Sequence, residues 1–186
     1  VDFVIVAGDI FDSVRASYGD YVRFFAGLQR LDAEGICTYL CTGNHDPQSV
    51  WQKDFFALPP SATMLAADRP DFALFEREGK PVAIIAGRGY PNKVWSSREN
   101  IAAGLTRQAA LSALGSRAEE APFAVGVLHT GLNLDPVKAP TDPAALVAAG
   151  FDYWALGHIH RRYQDSEDDP RVVFSGCVQG RDIRET

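Results

Sequence analysis

Four short apolar segments of the chain each end in a residue that can bind a metal ion. The segments span residues 3–7, 36–41, 123–128 and 153–156, and such runs are typical of buried strands in a parallel sheet. The residues that follow them are Asp9, Asn44 with His45, His129, and His158 with His160. Because open α/β sheets bind ligands at the carboxyl ends of their strands, these side chains can meet at one edge of a sheet.

The segments between these strands predict helices and hairpins. Helical spacing covers Tyr18–Glu34, Gln48–Leu58 is predicted to be a short helix, and Ser97–Ala118, which is rich in alanine and leucine, is predicted to be a long one. Thr141-Asp142-Pro143 begins a further helix that ends at Gly150. Two hairpins are predicted, one from Phe72–Glu76 with Pro81–Ala86 and one from Arg162–Gln164 with Val172–Ser175. Alternating strands and helices with added hairpins predict a layered α/β domain with a mixed sheet.

Composition restricts the classes of function. The chain has 186 residues and is 46% hydrophobic, which suits one folded domain. A net charge of −6 argues against nucleic-acid binding by bulk positive charge. The three cysteines show no C-x-x-C spacing, which favours a reduced, cytoplasmic chain. No apolar run is long enough to cross a bilayer and no signal peptide pattern is present, so we expect no membrane association.

Each polar strand end has an ordinary structural alternative when it is taken alone. Asp9 after Gly8 can belong to a simple turn, Asn44 can form an Asx turn, and His129 can be a core histidine. His158 and His160 are two residues apart, so in an extended segment their rings lie on the same side. All four histidines lie at strand ends. A shell of carboxylate, amide and imidazole suits Mn, Fe or Zn rather than Ca.

The order of the motifs resembles that of the calcineurin-like metallophosphoesterase superfamily. The matching motifs are Gly8-Asp9-Ile10-Phe11-Asp12, Gly43-Asn44-His45-Asp46, His129 and Gly157-His158-Ile159-His160. The first motif is similar to that of the SbcD-like DNA repair exonucleases, because Ser13-Val14 stands where Ser/Thr phosphatases carry Arg-Gly. The segment Ser175–Arg181 also resembles the one that follows the last motif in that branch, although more loosely.

The resemblance implies an α/β fold in which two packed mixed β-sheets are flanked by helices, the α/β/β/α metallophosphoesterase sandwich. Residues 1–186 would form a single domain, without the C-terminal capping domain of the SbcD-like branch. In the superfamily a D-x-H motif lies on an upstream first strand. No histidine of this chain follows an aspartate by two positions, so we expect that strand to be missing and the domain to be N-terminally truncated.

The resemblance assigns five residues to two divalent metals, with Mn expected and Fe or Zn as alternatives. Asp9 resembles the carboxylate that bridges both metals. Asn44, His129 and His158 resemble the other ligands of one metal, and His160 resembles a ligand of the second. The missing D-x-H motif would supply the remaining ligands of the second metal, so that site is expected to be incomplete.

Other residues resemble the catalytic and substrate-binding groups of the superfamily. His45 resembles the histidine that contacts the scissile phosphate and assists the leaving oxygen, and it needs a partner that orients its ring. Asp12 is that partner by resemblance, and Asp46 is the local alternative. Arg88 and Arg161 are candidate phosphate-binding residues, or ordinary surface arginines.

The function implied by the resemblance is hydrolysis of DNA phosphodiester bonds by in-line attack of metal-bound hydroxide. Two alternatives remain: a phosphatase or cyclic-nucleotide phosphodiesterase of the same superfamily, and a catalytically incomplete domain that binds a partner. The SbcD-like branch further implies a DNA substrate, an SMC-like ATPase partner and a homodimer of the full-length protein.

Metal titration of the chain tests the expected loss of ligands. Because the second metal would keep only Asp9 and His160, we expect one tight site and weak or absent occupancy of the other. Isothermal titration calorimetry with Mn²⁺ measures both. Two tight sites in this chain would contradict the prediction.

Overall fold

The computed structural model describes residues 1–51 and 57–177, together with residues 180 and 185. Two β-sheets pack face to face, with one helix on the outer face of the smaller sheet and two helices on the outer face of the larger. This arrangement confirms the α/β fold of two packed sheets flanked by helices. The predicted similarity at Ser175–Arg181 falls partly outside the described residues.

The smaller sheet contains three described strands, all parallel: β1 (Phe3–Ala7), β2 (Cys37–Cys41) and β3 (Ala62–Met64). The pairing of β1 with β2 is flush, from Phe3 opposite Cys37 to Ala7 opposite Cys41. Because both strands end at the same level, the loops that carry Asp9 and Asn44 leave the sheet side by side.

The larger sheet has six described strands and is mixed. They are β4 (Asp71–Arg77), β5 (Lys80–Arg88), β6 (Phe123–His129), β7 (Tyr153–Gly157), β8 (Tyr163–Gln164) and β9 (Val172–Phe174), in the spatial order β4-β5-β6-β7-β9-β8. Strands β5, β6, β7 and β9 are parallel, and the hairpin partners β4 and β8 are antiparallel to their neighbours. Both predicted hairpins are confirmed. The end of β6 at His129 pairs with Gly157, directly before His158.

Apolar side chains between the two sheets join their inner faces. Tyr39 and Cys41 of the smaller sheet pack with Ile85 and Val127 of the larger one, and all four are buried. Burying one large apolar side chain in this way stabilises the fold by about 1.5–3 kcal/mol. This contact fixes the strand ends of one sheet relative to those of the other, so that ligands can come from both.

Helix α1 (Tyr18–Ala33) covers the outer face of the smaller sheet. Ser17 and Asp20 form a capping box, in which each side chain accepts a hydrogen bond from the main-chain amide of the other. Buried Tyr21, Phe25 and Leu28 form the face that packs towards Phe11 and β3. The observed bounds agree with the predicted helix to within one residue.

The prediction of one continuous helix over Ser97–Ala118 is wrong, because only part of this segment is helical. Helix α2 covers only Arg107–Leu114, with Thr106 as its N-cap, and a short 3₁₀ turn follows at Ser116–Glu120. The alanine-rich composition favours a helix, but Gly104 and Gly115 adopt positive φ angles of 81° and 78°, which a continuous helix does not allow. The preceding turns instead bury Ile101 in the core of the larger sheet.

Two shorter helices were also predicted. Helix α3 covers Pro143–Ala148, with Asp142 as its N-cap, and so begins within Thr141-Asp142-Pro143 as predicted and ends just before Gly150. The predicted helix Gln48–Leu58 begins as a 3₁₀ turn at Gln48–Val50, and its part at residues 52–56 lies outside the described residues. In the part of the chain that the structure describes, every helix is too short or too polar to cross a membrane.

Substitution of Gly126 tests the packing of the larger sheet. A Cβ atom on Gly126 in β6 would overlap the indole ring of Trp154, which is completely buried. We expect Gly126→Ala to lower the free energy of unfolding by about 1–3 kcal/mol, because the core has no room for the methyl group. Urea denaturation followed by fluorescence measures this change.

Gly27→Ala in α1 is the matched control. No atom lies within 4 Å of the Cβ position at Gly27, so the same substitution should leave stability unchanged or raise it by up to about 1 kcal/mol. Equal effects of the two variants would contradict the packing argument.

Candidate metal centre

The carboxylate of Asp46 holds together the loops that follow β1 and β2. It accepts hydrogen bonds from the main-chain amides of Gly43 at 2.7 Å, Ile10 at 2.7 Å and Asp9 at 3.1 Å. Asp46 is completely buried. Burial is the main cause that raises its pKa to about 6, and the amides of Gly43 and Ile10 oppose this effect. The described hydrogen bonds of this carboxylate go to main-chain amides, so its role here is to join the loops.

His129 lies between the loops and has its ring orientation fixed by the main chain. The imidazole is completely buried, and its Nδ1 atom lies 2.9 Å from the carbonyl oxygen of Ala7. A carbonyl oxygen can only accept a hydrogen bond, so Nδ1 carries the proton and donates it. The other nitrogen, Nε2, lies 3.1 Å from Asn44 Oδ1 and 3.2 Å from Asp9 Oδ2.

His158 completes a cluster of acceptor atoms with Asp9 and His129. One ligand atom from each of the three residues lies within 4.8 Å of the others. The rings of His129 and His158 are 5.3 Å apart between centroids. Both Asp9, with a φ of 48°, and His158, with a φ of 102°, adopt positive φ angles that are unfavourable for residues with a side chain. Such strain is concentrated at functional sites, where surrounding contacts hold it in place.

The chemistry of this cluster fits a divalent cation. The carboxylate of Asp9, the amide oxygen of Asn44 and the Nε2 atom of His129 converge as acceptors, and a cation is the partner that all three can share. The close approach extends to the backbone, because a Cβ atom on Gly43 would overlap the Asp9 carboxylate and one on Gly157 would overlap the carbonyl of Ala7.

Electrostatics already favour charge at Asp9. Burial raises the pKa of this carboxyl, but the main-chain amide of His45 and the His129 ring, when that ring is protonated on Nε2, outweigh burial, so the pKa lies below its ordinary value. For His158 burial dominates and lowers the pKa, while the Asp135 carboxylate opposes this. A low pKa keeps the imidazole neutral near physiological pH, which is the form that binds a metal.

His160 lines the same cleft as Asp9 and His158, with residues from β1 and from the segment 175–177. Its ring is partly exposed, and Nδ1 lies 2.7 Å from the carboxylate of Glu185. A carboxylate on Nδ1 directs the ring so that Nε2 is the nitrogen left for a ligand. Glu185 is one of the few described residues near the end of the chain, and sequence analysis did not identify it.

His45 contacts the centre through its main chain. Its amide donates to Asp9 Oδ1 at 2.8 Å, and its ring Nδ1 donates to the main-chain carbonyl of Asp12 at 2.9 Å. The prediction gave His45 the Asp12 carboxylate as its partner, and the hydrogen bond seen here uses the Asp12 main-chain oxygen instead. Because Nδ1 carries the proton, Nε2 is the atom that can meet a substrate.

The two predicted substrate-binding arginines are in different environments. The Arg88 guanidinium donates to the main-chain carbonyls of Ala67 and Asp68 and lies 4.7 Å from the ring centre of Trp95. These contacts give Arg88 a structural task, and phosphate binding by this residue stays a prediction. Arg161 is exposed directly after His160, and its role also stays a prediction.

Comparison with known proteins agrees with this geometry. A sequence model of the family described as calcineurin-like phosphoesterase matches residues 1–162. The chain belongs to the calcineurin-like phosphoesterase family. Members of this family are metal-dependent phosphoester hydrolases that bind divalent metals, and the cluster of Asp9, His129 and His158 in this chain could hold such a metal.

Two curated relatives are similar to this chain over nearly its whole length. The uncharacterized metallophosphoesterase YhaO of Bacillus subtilis is 34% identical over 190 residues, covering 100% of the chain and 43% of the relative. The DNA double-strand break repair protein Mre11 of Methanocaldococcus jannaschii is 26% identical over 184 residues, covering 96% of the chain and 45% of the relative. The chain therefore spans less than half the length of these relatives.

Asp135, like Glu185, was not identified from the sequence. Its Oδ2 atom lies 3.1 Å from His158 Nε2. Asp135 lies in the loop after β6 and belongs to no motif at a strand end. One signal in the sequence could have identified Asp135: it is an acidic residue that follows His129, a candidate metal ligand, at a short distance.

Asp46→Ala tests whether the buried carboxylate holds the two loops. Its removal leaves three main-chain amides without an acceptor, and each unsatisfied buried donor costs about 1–3 kcal/mol. We expect the free energy of unfolding to fall by at least about 2 kcal/mol, measured by chemical denaturation without metal.

Asp165→Ala is the matched control. The Asp165 carboxylate also accepts from two main-chain amides, those of Arg171 and Val172, but it is exposed in a hairpin loop where water can replace it. We expect a loss of less than about 1 kcal/mol. A loss at Asp46 no larger than that at Asp165 would contradict the proposed loop-joining role.

Proposed function

We propose that this chain is the catalytic part of a metal-dependent DNA exonuclease of the SbcD-like type, which hydrolyses phosphodiester bonds. The observation that carries the proposal is the convergence of Asp9, Asn44, His129 and His158 at the carboxyl ends of strands from two sheets. A cluster of acceptors at this position suits a divalent metal, and phosphoester hydrolysis is the chemistry of the family.

The proposed metal ligands divide into two groups. Asp9, Asn44, His129 and His158 would hold one divalent metal, and Asp9 with His160 would contribute to a second. We propose Mn, with Fe or Zn as alternatives, since the shell mixes oxygen and imidazole donors. When bound, the metals would neutralise charge on the phosphate and lower the pKa of a bound water.

The residues of the chain would orient the substrate and move a proton. His45 is held at two points, by its amide on Asp9 and by Nδ1 on the Asp12 carbonyl. With a second proton on Nε2, its exposed ring would place that atom at the leaving oxygen and donate the proton there. In this proposal Asp12 orients His45 through its main chain, and Arg88 and Arg161 contact phosphates away from the cleaved bond.

DNA is the proposed substrate because one relative acts in DNA repair. The archaeal relative is named a DNA double-strand break repair protein, and the first motif resembles that of the SbcD-like branch. The name of the bacterial relative says nothing about a substrate. We further propose that the full-length protein forms a homodimer and works with an SMC-like ATPase, as the resemblance implies.

Hydrolysis assays with His45→Ala test the proposal. We expect the full-length protein with Mn²⁺ to degrade linear DNA faster than it hydrolyses bis-p-nitrophenyl phosphate, and a chelator to abolish both activities. We expect His45→Ala to lower the rate by about 10²- to 10⁴-fold, the usual contribution of a general acid. The measurement is release of nucleotides from end-labelled DNA.

The matched control is Ser49→Ala, which should keep the wild-type rate. Ser49 is an exposed polar residue that, like His45, follows β2. Activity on small phosphoesters alone would favour a phosphatase or cyclic-nucleotide phosphodiesterase. Unchanged hydrolysis in His45→Ala would contradict the role of His45. Metal binding without any hydrolysis would favour a partner-binding domain.

A further inference from the structure

The carboxylate of Asp135 makes two hydrogen bonds, and each oxygen has a different partner. Oδ1 accepts from the main-chain amide of Val137 at 3.1 Å, within its own loop. Oδ2 lies 3.1 Å from Nε2 of His158, which comes from the end of β7. One oxygen therefore anchors the side chain in the loop, and the other holds the histidine.

The loop that carries Asp135 is tied together by several main-chain contacts. The amide of Gly131 donates to the Lys138 carbonyl at 2.6 Å, and the amide of Asp135 donates to the Gly131 carbonyl at 2.8 Å. The buried hydroxyl of Thr130 donates to the carbonyl of Ala139 at 2.7 Å. A Cβ atom on Gly131 would overlap the Asp135 carbonyl, so the chain crosses itself closely here. These contacts fix the position of the Asp135 carboxylate before any ligand binds.

The contact with Asp135 decides which nitrogen of His158 is free. A carboxylate only accepts hydrogen bonds, so a neutral His158 carries its proton on Nε2 and has its lone pair on Nδ1. His129 is the reverse case, because its Nδ1–H donates to the Ala7 carbonyl and the lone pair is on Nε2. Neighbouring histidines are thus held in opposite tautomers.

Stability alone does not account for the Asp135–His158 contact. The Asp135 side chain is 35% exposed, and ion pairs open to water contribute about 0–1 kcal/mol. Histidines that bind metals usually donate their second nitrogen to a carboxylate or carbonyl, and this partner fixes the ring. His129 has such a partner in a carbonyl, and His158 has one in a carboxylate.

We propose that Asp135 is a positioning residue of the metal centre, which fixes the tautomer of His158 so that Nδ1 faces the metal. This inference rests on the proposed metal site but is independent of the substrate. It assigns a role to the loop between β6 and α3, which none of the sequence motifs covers.

Histidine tautomers and metal affinity in Asp135 variants test the proposal. In ¹⁵N-histidine spectra of the metal-free chain at pH 8, we expect wild-type His158 to carry its proton on Nε2. Asp135→Ala should give a mixture of tautomers and raise the dissociation constant for Mn²⁺ about 10- to 100-fold. In Asp135→Asn the amide oxygen can still accept from Nε2, so both readouts should lie closer to wild type.

Asp152→Asn provides the matched control at the opposite end of β7. Its carboxylate also bonds one main-chain amide, that of Ala124, and one side chain, that of Arg107. We expect the His158 tautomer and the Mn²⁺ affinity to be unchanged in this variant, because the contacts of Asp152 with Ala124 and Arg107 do not involve the metal centre.

The proposal is overturned if wild-type His158 carries its proton on Nδ1, or if Asp135→Ala leaves both the tautomer and the Mn²⁺ affinity at wild-type values. Neither measurement uses a substrate. Failure to cleave DNA would therefore count against the proposed function alone, while loss of the tautomer effect would count against Asp135 alone.

Discussion

The buried Asp46 carboxylate fixes the two loops on which the metal centre depends. The flush parallel pairing of β1 and β2 brings the ends of both strands to one level, but it leaves the amides of the following loops without sheet partners. Asp46 accepts from three of these amides. Asp9 and Asn44 belong to the same loops, so their position depends on a shared acceptor that is completely buried.

Each histidine near the centre contacts an acceptor through one of its ring nitrogens. His129 and His45 donate to main-chain carbonyls, and His158 and His160 contact carboxylates. Each contact selects one nitrogen of the ring and frees the other. For His129 the free nitrogen lies beside the Asp9 carboxylate, and this is an environment in which a divalent cation is favoured.

The strands could be predicted from the sequence because short apolar runs followed by a turn or polar residue are typical of buried strands. The helix at Ser97–Ala118 could not, since an alanine-rich composition does not show that Gly104 and Gly115 have positive φ angles. The turns before Gly104 bury Ile101 against the larger sheet, which is a tertiary contact. The hairpin at Glu78-Gly79 was predictable because its turn residues carry the positive φ angles themselves.

The sequence by itself determined the α/β class, the family motifs and the residues that stand at the strand ends. Only the tertiary structure decided that Asp46 joins the loops, that His45 contacts the Asp12 carbonyl, and that Asp135 and Glu185 hold the last two histidines. The physical reason is that residue type and spacing fix which groups can bind a metal. Hydrogen-bond partners distant in the chain fix which atom of each group is free to do so.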